Sequence, residues 1–162
     1  MKLKTLLEDI VNEIGDLKNI KPYKLTGYDG IYKFTTDSKD TGKVVFVPVF
    51  GDELKMLGIS DRLGSTSEII YSINDNYLQS KKESLSSLLR ILATVMEAVK
   101  LDLEHTNTTA YVMYATNKSQ ESFDMQKKSL YIAIAKAHLP PGWIIKTETG
   151  STSKKYILVI RK

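Results

Sequence analysis

The sequence predicts an α+β fold: a central, mostly antiparallel sheet of about six strands with helices packed on it. Three observations carry this. Short segments rich in β-branched and aromatic residues alternate in polarity between Gly-, Asn- and Asp-rich turns. Longer stretches place apolar residues at three- and four-residue steps, the period of a helix face. The 162 residues, 42% hydrophobic and 26% charged, suit one globular domain, and no linker, repeat or low-complexity segment divides them. The domain is read as residues 1–162, with an amphipathic N-terminal helix over 1–20 and the sheet with its core helices over 30–162.

Leu3, Leu6, Leu7, Ile10, Val11, Ile14 and Leu17 mark one face of the N-terminal helix, and Glu8, Asp9, Asn12, Glu13 and Asp16 the other. Gly15 and the stretch to Pro22 end it. Gly27-Tyr28-Asp29-Gly30 reads as a turn. Ile31–Thr36 is a first strand, Asp37–Gly42 a turn, and Lys43–Phe50 a second strand. The run Val44-Val45-Phe46-Val47 predicts burial on both faces there, and Pro48, which lacks an N–H, predicts a bulge or an edge. After a loop over Gly51–Gly64, Thr66–Asn74 is a third strand with Ile69, Tyr71 and Ile73 on one face.

Ser80-Lys81-Lys82-Glu83 has capping-box spacing. The best core helix follows, from about Leu85 to about Leu103, with Leu88, Leu89, Leu92, Val95, Met96 and Val99 on its apolar face. Thr109–Ala115 is the next strand. Ser122 can cap a second core helix carrying Phe123, Leu130, Ile134 and Ala137, which Pro140-Pro141-Gly142 stops. Trp143–Thr149 and Lys154–Arg161 form a C-terminal hairpin.

Composition removes several chemistries. The absence of Cys excludes disulfide scaffolds, thiolate zinc sites, iron–sulfur clusters and cysteine nucleophiles. His105 and His138 lie on separate segments without metal-ligand spacing, each near a helix C-terminus that favours a cation. No P-loop, dinucleotide-binding glycine motif, EF-hand loop or nucleophile elbow occurs. Asp37 and Asp40 are turn residues. No metal and no cofactor are expected. Acidic residues interrupt the N-terminal apolar pattern, so it is not read as a signal peptide, and no run is long enough to span a membrane. The expected location at synthesis is the cytoplasm.

The net charge is +4. After Asn117 nine basic residues face three acidic ones, so the C-terminal part carries the whole excess. An acidic leading helix and a basic C-terminal half suit head-to-tail protein association. Leu3, Leu7 and Ile10, with Lys127, Lys128, Lys154 and Lys155, are therefore the partner-binding candidates. The same residues are also consistent with a helix packed on its own domain and a solvated lysine-rich surface. Tyr111, Tyr114, Trp143 and Tyr156, with Lys146, Lys154 and Lys155, are the candidates for a nucleic-acid-binding face.

The order helix, three strands, helix, strand, helix, two strands resembles the GNAT N-acetyltransferase superfamily. Asn117 and Ser129-Leu130-Tyr131 look like that superfamily's Asn and Tyr before its last strands. The resemblance implies that Tyr131 is the general acid that protonates a leaving thiolate, which makes it the one catalytic candidate. The chain departs from the superfamily at the pyrophosphate-binding turn, where Asn76–Ser84 contains no glycine. A packed helix residue is the other reading of Tyr131.

The chain also resembles a group of small tailed-bacteriophage proteins over roughly its last two-thirds. The residues that carry this are the strand pair, the helix Arg90-Ile91-Leu92-Ala93-Thr94-Val95-Met96-Glu97-Ala98-Val99, and the Ser-Leu-Tyr helix with Lys127 and Lys128 before it. The resemblance implies a non-catalytic phage structural or protein-interaction component, part of a virion assembly such as a head or tail ring. Its partners would be other virion proteins or further copies of this chain. The alternatives are an acyl-CoA-dependent N-acetyltransferase-like enzyme and a nucleic-acid-binding accessory protein.

Overall fold

The computed structural model describes residues 17–50, 52, 64–74, 85–115, 131–149 and 156–161. Apart from a 3-10 turn at Leu17–Asn19, the expected N-terminal helix lies outside them, as do the capping box and the start of the second core helix.

Seven strands form one sheet: β1 (Thr26–Tyr28), β2 (Ile31–Thr35), β3 (Thr41–Val49), β4 (Thr66–Ile73), β5 (Ala110–Ala115), β6 (Ile144–Thr149) and β7 (Tyr156–Arg161). Their order is β1-β2-β3-β4-β5-β7-β6. All neighbours are antiparallel except β4 and β5. Helix α1 (Leu85–His105) crosses over between those two, and helix α2 covers residues 131–138.

The fold is α+β and mostly antiparallel, as expected, but the strands number seven rather than six. The extra one is β1, in the stretch expected to be a turn alone. Asp29 and Gly30 both have positive φ, 54° and 78°. That is the backbone of a two-residue turn matching the twist of two flanking strands, so Asp29-Gly30 joins a hairpin.

Both helices and the segment from Ile20 to Leu25 pack on one face of the sheet. Their core gathers Tyr32 and Phe34 of β2, Val44 and Phe46 of β3, Ile69 and Ile73 of β4, and Tyr111 and Met113 of β5. α1 is buried on nearly every side: all six residues from Ile91 to Met96 are buried. A helix apolar all round belongs in the interior, and this one is flanked on the sheet by the Ile20–Leu25 segment and α2. The buried Thr94 hydroxyl ties α1 to that segment, accepting from the Tyr23 N–H at 2.8 Å and donating to the Arg90 carbonyl at 2.7 Å. The Arg90 guanidinium lies 3.9 Å from the centre of the Tyr23 ring and holds both oxygens of Asp37 at 2.8–2.9 Å.

The expectation that Val44–Val47 is buried on both faces is corrected. Val44 and Phe46 are buried under α1, while Val45 is half-buried and Val47 exposed on the opposite face. That face is apolar in composition without being fully covered. Pro48 makes no bulge either, since the β3–β4 register is unbroken from Gly42↔Ile73 to Val49↔Thr66. The Phe46 N–H donates to the Gly30 carbonyl on the β2 side. Strand alternation points the Pro48 nitrogen to that same side, beyond the end of β2, so no ladder bond is lost.

Gly42 sits opposite Phe34, whose ring lies flat against it; a Cβ there would meet the ring atoms. Phe34 also stacks on Tyr23 at 5.7 Å, so the ring cannot swing aside without disturbing its neighbour. Gly42→Ala is expected to lower unfolding free energy by about 1–3 kcal/mol, the usual cost of overpacking, measured by urea denaturation. Phe34→Leu in the same background should recover part of the loss.

Candidate functional site

β4 and β5 pair over three positions only, Thr66↔Ala110, Ser67↔Tyr111 and Glu68↔Val112. β4 runs on to Ile73 and β5 to Ala115, each bonded on its outer side to β3 or β7. Among the described residues, their inner edges make no ladder to each other beyond Glu68 and Val112. The middle of the sheet therefore splits toward the C-terminal ends of these strands.

Tyr131 stands at this split. It is buried in the first described turn of α2, and its hydroxyl lies 2.8 Å from that of Tyr71, on the stretch of β4 that pairs with β3 but not with β5. Each phenol can donate or accept, so the pair can hand a proton to a group placed beside it. Unpaired strand edges can in turn hydrogen-bond the amides of an extended ligand. Tyr131 is thus packed, as its residue pattern suggested, and also hydrogen-bonded next to a gap.

At the other end of the same strands lies a polar cluster that sequence reasoning missed. Asp102, in the last turn of α1, is buried. Its Oδ2 accepts the Tyr111 hydroxyl at 2.6 Å and lies 3.2 Å from the Thr106 hydroxyl. A row of edge-on and tilted rings crosses the sheet beneath it: Tyr32–Phe46 at 6.0 Å, Phe46–Tyr111 at 5.6 Å and Tyr111–Trp143 at 6.3 Å. The signal for Asp102 was available, since it falls seven residues after Val95 and three after Val99, on the apolar stripe of α1. A carboxylate at a core position needs a partner.

Other candidates are placed as follows. Leu3, Leu7, Ile10, Lys127, Lys128, Lys154 and Lys155 lie outside the described residues. Tyr111 is fully buried and cannot stack on a base, which removes it from the expected nucleic-acid face. His138 is a tether, its Nε2 2.9 Å from the Leu17 carbonyl. Asp37 and Asp40 are turn residues bonded to Arg90 and Asn74. Among the described residues no three His, Asp or Glu side chains gather as a metal-binding set, and no helix is long and apolar enough to cross a membrane.

Comparison with known proteins adds no relative: no family model, no curated protein and no solved structure matches the chain.

Burial, and then the hydrogen bond and charge of Asp102, push the Tyr111 hydroxyl above its ordinary value of 10.0. The folded state thus holds this proton more tightly than the unfolded chain does. Its contribution to stability is complete below pH 10 and is lost as pH rises beyond it. Unfolding free energy should fall above pH 10, and Tyr111→Phe should flatten that fall. Denaturant titrations between pH 8 and pH 11 check both.

Proposed function

We propose that the chain is a non-catalytic protein-interaction component, of the kind that builds a bacteriophage virion, such as a head or tail ring. The observation that carries the reading is an apolar row on the sheet face away from α1. Tyr28, Ile31, Val45 and Ile70 lie opposite one another across β1, β2, β3 and β4. Tyr28 is 79% exposed and Ile31 46%, and Val47 adds to the same face. Contiguous exposed apolar surface rimmed by charge marks an interaction site, and here Lys33 and Lys43 form the neighbouring row. The resemblance to small phage proteins supplies the context, with other virion proteins or further copies of this chain as the partners.

Sedimentation velocity at micromolar concentration, for the chain alone and co-expressed with the structural proteins of its own genome, tests this. A species heavier than one chain is expected, and Ile31→Lys should weaken its assembly at least about tenfold, roughly 1.4 kcal/mol. A monomer under both conditions overturns the reading.

A second reading, an acyl-CoA-dependent transferase, is favoured by one observation, the Tyr71–Tyr131 pair beside the split of β4 and β5. In this reading the edges of β4 and β5 that do not pair with each other would take the amide-bearing arm of an acyl-CoA, and Tyr131 would protonate the leaving thiolate. Against it stands the glycine-free Asn76–Ser84, which lies outside the described residues. Calorimetry with acetyl-CoA decides: heat of binding, with turnover that Tyr131→Phe abolishes, supports an enzyme. No heat at millimolar ligand removes the idea.

A further inference from the structure

A cleft of about 420 Å³ opens where the last turn of α1 overhangs the N-terminal ends of β4 and β5. Its size falls in the range of small-ligand sites, roughly 300–1,000 Å³. Tyr32 and Phe46 line it, with Asp102 and His105 on the α1 side and Ser67 on β4. The β1–β2 turn brings Asp29 to it as well.

Three of these residues are buried polar groups with hydrogen-bonding capacity to spare. Asp102 is 3% exposed and Tyr32 4%. Asp102 uses only Oδ2, for Tyr111 and Thr106; among the described residues its Oδ1 accepts nothing. The Tyr32 and Ser67 hydroxyls likewise make no hydrogen bond among the described residues, although Ser67 is 9% exposed. Buried phenols and carboxylates normally satisfy every such group, because leaving one unmade costs as much as losing a bond. Unmet groups lining one cleft point to a ligand that completes them.

The charge of the cleft selects the ligand. In a chain of net charge +4, the cleft is lined by two aspartates and by neither Lys nor Arg. Burial, and then the negative charge of Asp102, Asp29 and Glu104, raise the Tyr32 hydroxyl above its ordinary value, in keeping with an acidic lining. Tyr32 and Phe46 add aromatic surface, which attracts an organic cation that has shed part of its water. A metal ion fits less well, since a divalent cation needs several charged ligands together, and among the described residues no three His, Asp or Glu side chains gather.

We propose that the cleft between the C-terminal turn of α1 and the β1–β2 hairpin binds a protonated alkylamine. The ammonium group would sit at Asp102 Oδ1 and the Ser67 and Tyr32 hydroxyls, with its alkyl chain against Phe46. The amine can be a free small molecule or the end of a lysine side chain presented by a peptide. Tyr28 borders both this cleft and the apolar row, but Ile31, Val45 and Ile70 do not line the cleft, so Ile31→Lys tests the row and the Asp102 and Tyr32 variants test the cleft.

The test is a nitrogen-15 NMR titration of the full chain with n-pentylamine, with Nα-acetyl-lysine methylamide, and with n-pentanol as the neutral control. Saturable shifts at the amides of Tyr32, Ser67 and Thr106 are expected for an amine, with a Kd below about 1 mM. Pentanol should bind at least tenfold more weakly. Preference for pentylamine identifies a free amine as the ligand, and preference for the lysine derivative identifies a side chain. Asp102→Asn should weaken binding at least tenfold. That variant also disturbs Tyr111, so Tyr32→Phe is the companion: it removes an unmet hydroxyl without changing volume, keeps the fold, and should weaken amine binding several-fold. The proposal is overturned if neither amine gives saturable shifts at 10 mM, if pentanol binds as well, or if both folded variants bind as the parent does.

Discussion

β4 and β5 run in the same direction, and much of the molecule follows from that. A parallel pair cannot be closed by a tight turn, so the chain must return across the sheet, and α1 is that return. Its 21 residues span about 30 Å, whereas the six residues of β5 span about 20 Å. The helix is thus longer than the strand it feeds. Its last turn lies over the N-terminal ends of β4 and β5 and brings Asp102 and His105 there. The same pairing is only three residues long, which holds the N-terminal ends of the two strands together and lets their C-terminal ends part. One constraint thus produces both irregular places in the sheet, the roofed cleft at one end and the tyrosine-flanked split at the other.

The crossover is stable because α1 has company on both sides. A helix with six consecutive buried residues cannot rest on a sheet alone. The segment from Ile20 to Leu25 and α2 pack beside it on the same face of the sheet, and Thr94 is the polar stitch between segment and helix. A hydroxyl inside an apolar layer is costly unless both its roles are filled. Here they are, by an N–H seventy-one residues away and by the carbonyl one turn back. Arg90 reinforces the stitch at the surface, where the ion pair with the exposed Asp37 contributes little but the stacking on Tyr23 fixes direction.

The sequence revealed the parts of the fold that depend on periodicity. The alternation in Ile31–Thr36 and Thr66–Asn74 and the helical spacing of Leu88, Leu92, Val95 and Val99 are local signals, and each produced an element close to its expected bounds. Asp29-Gly30 was equally local but was read as a bare turn, because three residues of strand carry no periodicity of their own. What stayed illegible was pairing. Tyr71 was placed on the right face of its strand, yet nothing near it in sequence says that its hydroxyl meets one sixty residues on. Asp102 and Tyr111 lie only nine residues apart but face each other across a helix end and a strand start. Their contact depends on where the helix ends over the sheet, which is a property of the assembled fold. The candidates drawn from charge and amphipathicity, Leu3 to Ile10 and the C-terminal lysines, were readings of surface, and surface patterns do not identify what they meet.

Pro48 bears on how a partner can approach. β3 extends past β2 as a short overhang, and overhangs recruit foreign strands through their free backbone groups. The nitrogen that points outward from this one belongs to proline and carries no hydrogen, so an incoming strand would find an acceptor without its matching donor. Strand addition is discouraged at that overhang. There the side chains of the apolar row, rather than the backbone of β3, are left to make the contact.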